Sequence, residues 1–121
     1  MAYIGGVPRA PITVVEVEPF PARDRAVWSD EDCLEFISYI ACNPQAGDLI
    51  VGTGGVRKVR WSRGGSGKRG GVRVIYYFHD DSMPLFLLTV YPKSKQARLT
   101  SAQLKTVTKL VALLRATYAK S

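Results

Sequence analysis

The chain is 121 residues long, 46% hydrophobic and 22% charged, with a net charge of +7. That length suits a single domain around one modest core. The composition excludes collagen, a disulfide scaffold and wholesale disorder, and no run approaches the roughly 18 apolar residues of a membrane helix.

Residues 1–11, with Gly5, Gly6, Pro8 and Pro11, read as an arm ahead of a single domain spanning residues 12–121. The acids Glu16 and Glu18 and the lack of a basic start make this N-terminus a poor secretory signal. Residues 12–17 (ITVVEV) are β-branched and predict a strand, stopped by Pro19 and Pro21. A short helix is allowed over 22–28. Ser29 ahead of Asp30, Glu31 and Asp32 marks a helix start. Leu34, Ile37, Ile40 and Ala41 follow at helical spacing, and Asn43-Pro44 ends that helix. Cys33 and Cys42 are too few for a framework and read as buried thiols in a reducing cytosol.

Residues 45–55 form a glycine-bearing connection to VRKVRW (56–61), whose period of two predicts a strand with Lys58 and Arg60 on one face. SRGGSGKRGG (62–71) is a basic loop. VRVIYYFH (72–79) and LFLLTVY (85–91) are further strands around a turn at 79–84. Their near-continuous apolar runs place them centrally in a covered sheet. Thr100 and Gln103 fit a capping box. Leu104, Val107, Val111, Leu114 and Tyr118 then recur at helical intervals. The order is β-α-α-β-β-β-α: an α+β fold, its small sheet largely antiparallel and its helices packed on one face.

Charge is unevenly distributed along this frame. Residues 1–48 hold eight acids and three bases; residues 49–121 hold two acids and fourteen bases. The second half therefore offers a basic face to a polyanion, nucleic acid first. Seven bases, Arg57, Lys58, Arg60, Arg63, Lys68, Arg69 and Arg73, occur with no acid among them. Lys58, Arg60 and Arg73 can share a sheet face. Tyr91, Lys93, Lys95 and Arg98 follow the last strand, and Trp61 and Tyr91 are either core residues or platforms for stacking on bases.

The glycines do not make a phosphate loop, because the Gly-x-x-x-x-Gly-Lys-Ser/Thr order is missing and no helix follows. Metal binding lacks support: one histidine, His79, sits in a turn, and Cys33 and Cys42 fit no zinc spacing. A single histidine also excludes a paired-histidine ribonuclease. What remains is phosphoryl transfer by Lys and Arg, without cofactor or metal. RNA brings its own 2′-OH nucleophile, the cations stabilise the phosphorane oxygens, and crowded lysines are suited to proton transfer. A non-catalytic RNA- or DNA-binding module, or a basic face docking an acidic protein, would use the same patch.

GTGGVRKVRW, GSGKRGGVRVIYYF, FLLTVYPKSKQARLT and the C-terminal amphipathic helix resemble the RelE/HigB superfamily of bacterial type II toxins over roughly residues 12–118. The resemblance implies a microbial-ribonuclease-like fold in a cytoplasmic mRNA interferase that cleaves messages in the ribosomal A site. It also implies neutralisation by a cognate antitoxin, expected to carry a helix-turn-helix, and no membrane partner. Carried over by position, the catalytic bases fall on Lys58, Arg60, Arg73 and Lys93. Arg57, Arg63, Lys68, Arg69, Tyr91 and Lys95 are the expected RNA contacts. Some members use a tyrosine where this chain has Leu99, and Tyr91 is the candidate substitute.

Overall fold

The computed structural model describes residues 3–4, 7–8, 10–17, 27–62 and 71–118, with side chains from residue 10 onward. In chain order the elements are β1 (Tyr3–Ile4), β2 (Val7–Pro8), β3 (Val14–Glu16), α1 (Asp30–Cys42), β4 (Asp48–Leu49), β5 (Val56–Trp61), β6 (Val72–Tyr77), β7 (Leu85–Pro92) and α2 (Ser101–Tyr118). The short helix allowed over 22–28 falls mostly outside the described residues. The expected arm carries the small antiparallel pair β1–β2.

The main sheet is mixed, in the order β3-β7-β6-β5-β4. β4 to β7 are antiparallel neighbours, while β3 runs parallel to β7, with Val14 opposite Leu85. β6 is buried at every position and lies at the centre, as its apolar run predicts. One bulge interrupts the β6–β7 ladder beside Ile75 and Tyr76, so the alternation shifts after Leu88 and Tyr91 joins Phe86 and Leu88 against the same apolar cluster.

Local chemistry sets the helix ends. Ser29 is extended and its Oγ accepts from the Asp32 N–H (3.0 Å), with three acids in the first turn of α1. At the other end the Asn43 N–H donates to Ile40 O and Pro44 follows. α2 begins with the reciprocal box: Gln103 N–H donates to Thr100 Oγ1 (3.1 Å), and Thr100 N–H donates to Gln103 Oε1 (2.9 Å).

The helices lie on opposite faces of the sheet, which corrects the expectation of a single covered face. α1 packs Cys33, Phe36 and Ile40 on Val72, Val74, Tyr76, Leu85 and Leu87. α2 packs Val107 and Val111 on Val56, Ile75, Tyr77, Phe86 and Leu88. The reason is the strand composition: β6 and β7 are apolar on both sides, so each side needs a cover.

Candidate nucleic-acid interface

The turn into β5 does the first positioning. Residues 50–55 close the β4–β5 hairpin, with Ile50 N–H donating to Val56 O (2.8 Å). The Thr53 hydroxyl donates to Ile50 O (2.7 Å) and accepts from Val56 N–H (3.1 Å). Gly52, Gly54 and Gly55 have φ of 81°, 82° and 120°, a left-handed path that favours glycine. The GTGG motif is thus a hairpin loop.

From that turn the alternation of β5 sorts its side chains. Val56, Lys58 and Arg60 face the α2 side; Arg57, Val59 and Trp61 face α1. Arg60 stands opposite Arg73, and Arg73 stands opposite Tyr91, so the three form one row across β5, β6 and β7. Like charges directly opposite each other are unfavourable in a sheet. Lys58, Arg60 and Arg73 line one open cleft of about 420 Å³, together with Val59, Ala46 and Asp48. Among the described residues, neither Lys58 nor Arg60 has a carboxylate within 4 Å. A smaller cavity of about 120 Å³ lies next to it, where Lys58 meets Arg98, Leu99, Ile50 and Leu104 at the start of α2.

Tyr91 is buried on the same face as Arg73. Desolvation pushes its phenol above the usual tyrosine range, partly offset by the Arg73 guanidinium. Among the described residues its buried hydroxyl has no hydrogen-bond partner. Lys93 follows β7, and its N–H still donates to Gly71 O (3.2 Å), extending the ladder beside Arg73. Lys95 is exposed in the turn that follows. Arg63, Lys68 and Arg69 lie outside the described residues.

One expected contact, Arg57, and one open candidate, Trp61, lie on the other face. Arg57 points to the α1 side, where its Nη1 donates to Gly47 O (2.6 Å) and Gln45 O (3.4 Å). Trp61 packs its ring on Phe36 (5.3 Å, 77°) and Tyr39 (5.2 Å) under α1, so of the two roles open to it, it takes the core one. His79 lies beyond the far end of β6 from Arg73, about 20 Å away by strand rise. It sits beside Tyr77 and Asp80 there.

Sequence reasoning missed Asp48. Its strand, β4, has two residues and is too short for a period-two signal. Its register partner is Lys58, which turns it to the cleft side. The signal available was the glycine-bearing connection itself, read as a link rather than as a hairpin that folds Asp48 back onto Lys58.

A mixed five-stranded sheet between two helices, opening into a cationic cleft at one end, defines a small α+β protein built to receive an anion. Residues 22–121 match the family described as the RelE toxin of the RelE/RelB toxin-antitoxin system. The chain belongs to the RelE toxin family, and is the toxin component of a toxin-antitoxin pair. Toxins of this family pair with a RelB-type antitoxin. Among the described residues no helix is long and apolar enough to cross a membrane.

Proposed function

We propose that this toxin is a metal-independent endoribonuclease that cuts mRNA in the ribosomal A site and so halts translation in the cytoplasm. The observation that carries this reading is the joint lining of one cleft by Lys58, Arg60 and Arg73, two of them a directly opposed like-charged pair. A scissile phosphodiester relieves that repulsion and gains most as charge builds on its non-bridging oxygens. Arg73, held on the central strand and 8% exposed, is the best-fixed donor for the phosphorane. Arg60 and Lys58 flank it. Lys93 and Lys95 extend the track for the RNA backbone. Tyr91, buried beside Arg73 with a hydroxyl that is unpartnered among the described residues, backs that guanidinium from within the core and is left out as a direct RNA contact. Arg57 is left out, because its guanidinium is committed to backbone carbonyls on the other face.

The cognate antitoxin neutralises the toxin by covering this cationic surface with acidic or apolar groups. The test is controlled expression in a bacterium, with primer extension on translated messages. Wild type arrests growth and gives codon-phased cuts. Arg73→Ala, checked by melting to be folded, loses about 10²–10³ in cleavage rate and permits growth. Salt-dependent RNA binding without cleavage, on or off ribosomes, would replace this reading with a binding module.

A further inference from the structure

We infer that Asp48 is the proton acceptor of the cleft, taking the proton of the ribose 2′-hydroxyl as that oxygen attacks phosphorus. The inference rests on the ribonuclease reading above and supplies the base that reading lacks.

Asp48 lines the cleft with Lys58, Arg60 and Arg73. It is exposed, and among the described residues its carboxylate makes no hydrogen bond or ion pair, although Lys58 is its register partner. A carboxylate beside three cations yet bonded to none is not there as a structural salt bridge. Among the described residues that line the cleft, it is the one side chain suited to accept a proton directly. Arginine stays protonated, and a lysine ammonium has donors only.

The backbone leading into Asp48 is fixed from the opposite face. Gly47 N–H donates to Tyr76 Oη (2.8 Å), and Tyr76 Oη donates to Pro44 O (2.9 Å). Arg57 Nη1 donates to Gly47 O (2.6 Å). A Cβ at Gly47 would lie 2.9 Å from both Lys58 O and Tyr76 Cε1, so the segment sits tight on β5 and leaves no room for a side chain there. Tyr76 and Arg57 are therefore positioning residues for Asp48.

The step balances without a further reactant. The 2′-O–P bond forms while the 2′-hydroxyl proton passes to an Asp48 oxygen. The P–O5′ bond breaks, and the departing 5′-oxygen takes a proton from water. The products are a 2′,3′-cyclic phosphate and a 5′-hydroxyl.

The experiment compares wild type with Asp48→Asn in single-turnover cleavage of a defined message on programmed ribosomes. In parallel, each protein's affinity for a 2′-O-methyl RNA that cannot be cleaved is measured, with melting as the folding control. The expected result has two parts: cleavage about 10²–10⁴ slower, and binding equal or a few-fold tighter because a negative charge has left a cationic cleft. Asp48→Asn cleavage within threefold of wild type overturns the inference and leaves the ribonuclease reading standing. Parallel loss of binding and cleavage also overturns it, since Asp48 would then be structural. No cleavage by wild type overturns the reading and the inference together.

Discussion

The two faces of this sheet are built from the same strands and end differently. The α1 face is apolar from Val72 to Leu87, and the arginine of β5 that points there, Arg57, is spent on two carbonyls. The α2 face is apolar only over Val56, Ile75, Tyr77, Phe86 and Leu88, and then turns cationic at Lys58, Arg60 and Arg73. One residue of alternation separates Arg57 from Lys58, yet the first is part of the scaffold and the second borders a cleft. The lesson is that a basic run in a strand is two sets of side chains, and only one of them is available to a ligand.

The largest expected effect lies in the covered face. Phe36 is fully buried, with its ring against Trp28 (5.8 Å) and Trp61 (5.3 Å). Phe36→Ala should cost about 3–5 kcal/mol, measured by urea or thermal unfolding, with toxicity lost through low abundance. A smaller loss would mean that α1 is not the cover it is taken to be.

Next comes the link between the faces. Tyr76→Phe removes the hydroxyl that joins Pro44 O and Gly47 N–H, leaving two buried backbone groups unpaired. The expected cost is about 1–3 kcal/mol. Burial is the main cause that holds the Tyr76 phenol above the usual range, opposed by the Gly47 bond and Arg57. A raised folded value means its stabilisation is complete below pH ~10, the ordinary tyrosine value, and is lost as pH rises through the folded value. Wild type should therefore lose stability in strong alkali more steeply than Tyr76→Phe does, and parallel alkaline limbs in the two unfolding curves would assign the loss to other groups.

Much of this architecture was legible in the chain. Ser29 with its acids, Asn43-Pro44, the Thr100–Gln103 box and the VRKVRW alternation each act over a few residues, so sequence carries them directly. Arg57's separation from Lys58 and Arg60 was also implicit in that alternation. The side on which each helix lies was not legible, because period-two spacing says which residues share a face but not what covers it. Asp48 was hidden for a related reason. Its placement depends on a hairpin of register Asp48–Lys58 and on bonds from Tyr76, 28 residues along the chain and on the opposite face.

The finest prediction sets Arg57 against Arg60, three residues apart on one strand. Arg57→Met removes the donor to Gly47 O and Gln45 O and should cost about 1–2 kcal/mol in unfolding, because a hydrogen bond from a charged group is lost. Its effect on RNA affinity should be slight, since its guanidinium is on the wrong side of the sheet. Arg60→Met should do the reverse. Arg60 is exposed and faces Arg73 across the ladder, so its removal relieves repulsion and leaves stability within about 0.5 kcal/mol of wild type. RNA affinity should fall, and the slope of log affinity against log salt should shrink by about one unit, as for one lost phosphate contact. Melting and salt titrations on the same two proteins decide it. If the two variants lose stability and salt slope alike, the division of labour between the faces fails, because the alternation that separates the two arginines would then have no energetic consequence.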